Sequence, residues 1–129
     1  MATGYTALHL RCPLEETHSF EYTVPSGGVS AGDFVLTGEV IGVWAEDYDA
    51  ADTGVVIYKA PKILVPCAVA TTSVNYAVGE PVYADIADNE VNQTTSGNTL
   101  CGIVLVAPAV GAETVEIELD GMLDLTRGT

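Results

Sequence analysis

The sequence predicts an all-β protein: a single small antiparallel β-barrel or sandwich with an extended N-terminal arm. Three observations carry that expectation. The apolar runs are short, rich in β-branched residues and bounded by Gly, Pro, Asn or Asp. Helical periodicity is scarce. The segment "TVEIELD" (114–120) alternates strictly, with Val115, Ile117 and Leu119 facing one way and Glu116, Glu118 and Asp120 the other. Strict period two describes a strand with one buried and one wet face, as in an antiparallel sheet with an open side.

The elements follow in order. "HSFEYTV" alternates, placing Phe20, Tyr22 and Val24 on one face. "PSGGVSAGD" (25–33) is a turn-rich connector. "DFVLTGEVIGVWAED" reads as two strands hinged near Gly38, or as one long bent strand. "AEDYDAAD" is an acidic loop with room for one helical turn. "TGVVIYKA" is a strand, which Pro61 is expected to interrupt before "KILVPCAVA". "TTSVNYAVGE" holds a turn, "EPVYAD" is a strand, "IADNE" a loop and "EVNQTT" a strand. A tight turn at "SGN" leads into the core strand "TLCGIVLVA". "PAVGAE" turns again, and "TVEIELDGML" closes the sheet. The 129 residues suit one domain. It divides into an arm or first strand (1–20), a β-core (21–123) and a C-terminal tail (124–129).

Charge is the strongest global signal. Eighteen acidic side chains stand against four basic ones, a net charge of −14. Such a chain repels phosphate, so direct nucleic-acid binding is not expected. It also repels itself in dilute salt, a penalty that falls away near 1 M, where the screening length is about 3 Å. This composition suits a very salty cytoplasm. No apolar run reaches the roughly 20 residues of a membrane helix, and the N-terminus lacks the order of a secretory signal. A soluble protein made without a cleaved leader, and with no membrane partner, is expected.

Cys12, Cys67 and Cys101 are odd in number and widely spaced, which argues against a disulfide framework and a zinc ribbon. Cys67 and Cys101 lie in apolar runs and read as small buried hydrophobes. His9, Cys12 and His18 lack a fourth ligand and a usual zinc spacing. No G-x-S-x-G occurs, and "PSGGVSAGD" lacks the Gly-Lys-Ser/Thr of a phosphate loop. Glu46, Asp47, Asp49 and Asp52 stand close together, but not at EF-hand spacing, and read as a solvated loop. No catalytic, cofactor-binding or metal residue is therefore expected. Trp44 and Tyr48 flank the acidic loop as core or interface aromatics. In "YTALHLR", Tyr5, Ala7 and His9 share one face and Thr6, Leu8 and Leu10 the other. That two-sided pattern suits a strand added to another chain's sheet edge.

The ordered series "SAGDFVLTGEVIGVWAEDYDAADTGVVIYKAPKILVP", then "YAVGEPVYADIADNEVNQTTSGNTLCGIVLVAPAVGAETVEIEL", resembles the capsid decoration or cement proteins of tailed viruses. The resemblance runs from about Gly27 to Leu123. It implies a virion structural protein, not an enzyme, that binds the outer surface of the head. It implies bridging of major capsid subunits, with the major capsid protein and copies of itself as partners, as a homotrimer. The protein would be made in the host cytoplasm, and its acidity points to a virus of a halophilic archaeon. Partner-binding candidates are Tyr5, Leu8, Leu10, Arg11, Trp44 and Tyr48. The alternatives are another virion component (turret, tail-tube or head-completion protein) or a small β-domain enzyme.

Overall fold

The computed structural model describes residues 10–123. They form an all-β, nearly closed antiparallel barrel of eight strands. In chain order these are β1 (His18–Thr23), β2 (Phe34–Thr37), β3 (Val40–Trp44), β4 (Thr53–Pro66), β5 (Pro81–Asp85), β6 (Glu90–Asn92), β7 (Thr99–Val106) and β8 (Thr114–Asp120). The sheet runs β2-β3-β4-β8-β7-β5-β6, with β1 also paired to β4.

β2 and β3 are two strands joined at Gly38-Glu39, with Thr37 opposite Val40. Gly38 has φ +64, so the two-residue turn puts its left-handed position where a side chain is absent. The acidic loop 46–52 makes turns and a bridge between Tyr48 and Val29, with no helical turn. A 3₁₀ turn at Leu14–Glu16 precedes β1.

The largest departure from the sequence reading is β4. Pro61 does not end the strand, which runs unbroken for 14 residues. The register against β8 slips between Ala60 and Ile63, and Pro61 and Lys62 lie exposed in the slip. A bulge needs no ladder hydrogen bond at the extra residue, so it accepts a residue without an N–H.

β4 is the shared strand. Its first half pairs with β1 and β3, and its second half with β8. Gly121, just past β8, donates its N–H to the Tyr58 carbonyl (2.6 Å) and accepts from the Ile41 N–H (3.1 Å). It therefore fills the seam where β8 gives way to β3. A Cβ there would collide with the Ile41 carbonyl, so the seam admits only glycine. β6 curls back to the end of β4 through the Cys67–Val91 bridge. Asn89, in the β5–β6 turn, accepts from the Phe34 N–H (2.8 Å) and donates Nδ2 to Asp33 Oδ1 (3.1 Å), latching β2 to that hairpin.

The barrel interior is one apolar cluster that includes Ile41, Val43, Ile57, Ile63, Val82, Val91, Val104 and Ile117. As its alternation predicts, β8 buries Val115, Ile117 and Leu119 in this interior while Glu118 is exposed. A second cluster lies on the outer face of β3 and β4. Val24, Trp44 and Val56 form it, with Phe20, Val29, Val35 and Tyr48 packed against them.

Candidate functional site

Three surfaces stand out, and none has the geometry of a catalytic centre.

The first is the outer face of β1, β4 and β3. Period-two alternation brings His18, Phe20 and Tyr22 beside Tyr58 and Trp44. The rings form a chain: His18–Tyr58 at 6.1 Å, Tyr58–Phe20 at 5.7 Å, Phe20–Tyr22 at 6.5 Å, Tyr22–Trp44 at 6.3 Å and Trp44–Tyr48 at 5.8 Å. These are ordinary distances for edge-to-face and tilted aromatic pairs. Trp44 is only 1% exposed, while Tyr22 is 42% exposed and Tyr48 half-buried. The Tyr48 hydroxyl accepts from the Val55 N–H (3.1 Å), which fixes the ring over β4. Every residue of β1 except Phe20 is exposed, and among the described residues its far edge has no strand partner.

The second is the acidic loop. With the 27–33 connector it frames a shallow cleft of about 420 Å³ that includes Asp33, Asp47, Asp49 and Asp52. Its carboxylates serve the loops themselves. Asp47 accepts from the Ala31 N–H (2.8 Å), Asp33 from the Ser30 N–H (3.0 Å) and Asp52 from the Asp49 N–H (3.3 Å). Among the described residues no three His, Cys, Asp or Glu side chains converge as metal ligands.

The third is an uncharged end of the barrel. Residues 63–79 and 91–112 contain no Asp, Glu, Lys or Arg. Backbone hydrogen bonds from Cys67 to Glu113, Ala70 to Ala112 and Gly111 to Ala70 tie the loop after β4 to the β7–β8 loop. Gly79 N–H to Val104 O adds the segment before β5. Val69, Val78, Val106 and Val110 are thereby gathered at one end, 48%, 66%, 52% and 70% exposed. The sequence reading did not single these valines out. The signal was present as a gap in the charge pattern, but the meeting of the two gaps depends on strand register.

Of the residues proposed from sequence for partner binding, Tyr5 and Leu8 lie outside the described residues. Leu10 bridges Ile63 and packs against the core, and Arg11 donates its N–H to the Lys62 carbonyl (3.1 Å). Trp44 and Tyr48 come together over the first half of β4, while Leu10 and Arg11 lie along its second half. Arg11, Lys59 and Lys62, the basic residues of the described chain, thus cluster near the β4 bulge, where Lys59 faces Asp120 at 3.9 Å.

The cysteines are free. Burial pushes the Cys101 thiol up to about 12 and the Cys67 thiol to about 11, the latter partly offset by a hydrogen bond with Tyr76. Tyr76 is raised above the ordinary tyrosine value, chiefly by burial, and its hydroxyl donates to the Ala68 carbonyl (2.8 Å). Burial of both thiols disfavours the thiolate, the form that acts as a nucleophile. No described helix is long and apolar enough to cross a membrane.

A family model described as "Phage cement protein" matches residues 14–119. A comparison with curated proteins finds no match.

Proposed function

The chain belongs to the phage cement protein family, and from that premise we propose how it works on a capsid. The family is one of structural, capsid-stabilising proteins of the virion. In our reading this member binds the outer surface of a tailed-virus head. It bridges neighbouring major capsid subunits and acts as a homotrimer made in the host cytoplasm.

The observation that carries the reading is strand β1, exposed along nearly its whole length, aromatic on its outer face and, among the described residues, without a strand partner at its far edge. Open strand edges are templates for another chain's main-chain hydrogen bonds, and aromatic faces supply contact area at low entropic cost. Residues 1–17 precede that strand, and residues 18–20 are its first three. Residues 1–20 act as the arm that grips the capsid or a neighbouring subunit, with Tyr5, Leu8 and Arg11 as contact residues and Leu10 seating the arm on its own barrel. Tyr48 adds to the aromatic face, and Trp44 supports it from beneath.

Deletion of residues 2–16 tests the arm. The truncated protein is expected to fold with its β signature intact and to lose attachment to particles. A truncated protein that unfolds, or one that still decorates particles, overturns the reading.

The host reading extends the proposal: the −14 charge fits a virus of a halophilic archaeon. The midpoint of thermal unfolding should rise from dilute buffer to molar salt as self-repulsion is screened. A flat midpoint would remove the halophilic reading and leave the cement reading standing.

A further inference from the structure

We infer that the uncharged end of the barrel, centred on Val69, Val78, Val106 and Val110, is the surface through which copies of this chain meet around a rotation axis. The inference rests on the proposed homo-oligomer and specifies its contact.

Symmetry supplies the argument. Next to a rotation axis each residue faces its own copies, so a carboxylate there meets the same carboxylate. Like charges brought close across an interface are repelled, and more strongly as water is excluded. A chain with 18 acidic side chains has little surface that escapes this penalty. The end built from residues 66–79 and 106–112 has no charged side chain of its own, and Glu80, Glu90, Glu113 and Glu116 border it. The same end carries four of the eight large hydrophobic side chains that the described residues leave exposed. Depletion of charge together with exposed apolar side chains is the composition of an interface core.

The acids at the margin fit a rim. Glu80 Oε1 accepts from Gln93 Nε2 (2.8 Å) and from the Ala77 N–H (3.2 Å), which holds its carboxylate against its own loop. Glu113 is exposed at the other border, where molar salt screens it. The occupant is a second copy rather than another protein because groups at an axis meet their own like charges and this chain has few cations to offset them, whereas a foreign partner can match carboxylates with its own cations.

The test uses the full chain with Val78→Glu and Val110→Glu, made singly. Both side chains are more than half exposed, so the fold should persist, and circular dichroism and thermal unfolding check that it does. Sedimentation in molar salt over a range of concentrations reads the oligomer. The wild type should sediment as a closed oligomer, and each variant should dissociate at about tenfold higher concentration or more. Tyr22→Glu, on the β1 face, should leave the oligomer intact. A monomeric wild type, or valine variants that associate as the wild type does, overturns the inference, as does a Tyr22→Glu variant that alone dissociates. Attachment to particles is measured separately, so loss of the cement reading is distinguishable from loss of this one.

Discussion

The two halves of β4 belong to one continuous strand but live in different surroundings. From Gly54 to Ile57 the strand is covered on both faces: Ile57 points into the barrel, while Gly54 and Val56 lie beneath Trp44, Tyr48 and Phe20. From Ala60 to Pro66 the same strand alternates, with Ala60, Ile63 and Val65 buried and Pro61, Lys62 and Pro66 exposed. The difference teaches where added layers come from. The second half is a wall of the barrel and needs one apolar face. The first half extends past the ring of β4, β8, β7, β5 and β6, where β1, the 25–33 connector and the acidic loop fold over it. That outer layer brings the aromatic face into being and places an acidic loop directly beside it.

The strongest way to break the comparison is to remove the outer layer's anchor. Trp44→Ala should cost about 3–5 kcal/mol in denaturant unfolding, whereas Leu64→Ala, a half-buried position in the one-sided half, should cost less than about 2 kcal/mol. Equal costs would mean that the outer cluster is not a second core. Trp44 is the only tryptophan, so its fluorescence reports on this layer alone.

A smaller effect probes how tightly the layer sits on the strand. A Cβ on Gly54 would lie 2.7 Å from Tyr48 Cδ2 and 2.8 Å from Trp44 Cζ3. Gly54→Ala should therefore cost about 1–3 kcal/mol by overpacking and red-shift Trp44 emission. An unchanged spectrum and unchanged stability would show that the rings do not rest on the backbone.

Tyr48→Phe removes one hydrogen bond and leaves the ring. The Val55 N–H would lose its partner, at a cost of about 1 kcal/mol. Amide exchange at Val55 is the direct readout: it should quicken there and stay unchanged at Val65. Uniform exchange changes along β4 would erase the distinction between its halves.

The smallest effect lies in the barrel wall away from the outer layer. Glu90 is raised above its ordinary value by burial first, then by the nearby Asp88 and Asp85 carboxylates. A raised carboxyl binds its proton more tightly in the folded state, so its ionised form opposes folding above the folded value. That opposition fades as pH falls between the folded and unfolded values. Glu90→Gln should stabilise the protein at neutral pH by no more than about 0.5 kcal/mol, since water screens the site. The gain should shrink on acidification. A destabilised variant at neutral pH would contradict the assigned direction.

Much of the wall was legible in the sequence. The alternation of Val115, Ile117 and Leu119 describes β8 because a strand with one wet face writes its geometry into every second residue. A break near Gly38 was legible from glycine inside a strand pattern, but whether it was a hinge between two strands or a bend in one was decided only by the pairing of Thr37 with Val40. Pro61 misled because a bulge is a property of two strands: whether β4 tolerates a missing N–H depends on the slip against β8, which no local pattern encodes. The outer layer was half legible. Trp44 and Tyr48 stood out as aromatics beside an acidic loop, but "VIGVW" buries four of its five residues without alternation. Its covering comes from residues 20–29, distant in sequence.

The sequence by itself determined the strand class, the excess of negative charge and the two long intervals that carry none. Each is a local or summed property of side chains and needs no partner to be expressed. Only the tertiary structure decided that those two intervals share one end of the barrel, that β4 runs through its proline and that the aromatics of β1, β3 and β4 line one face. These depend on register, and register is fixed by which strands find each other across the barrel, a long-range choice settled by burying one common core.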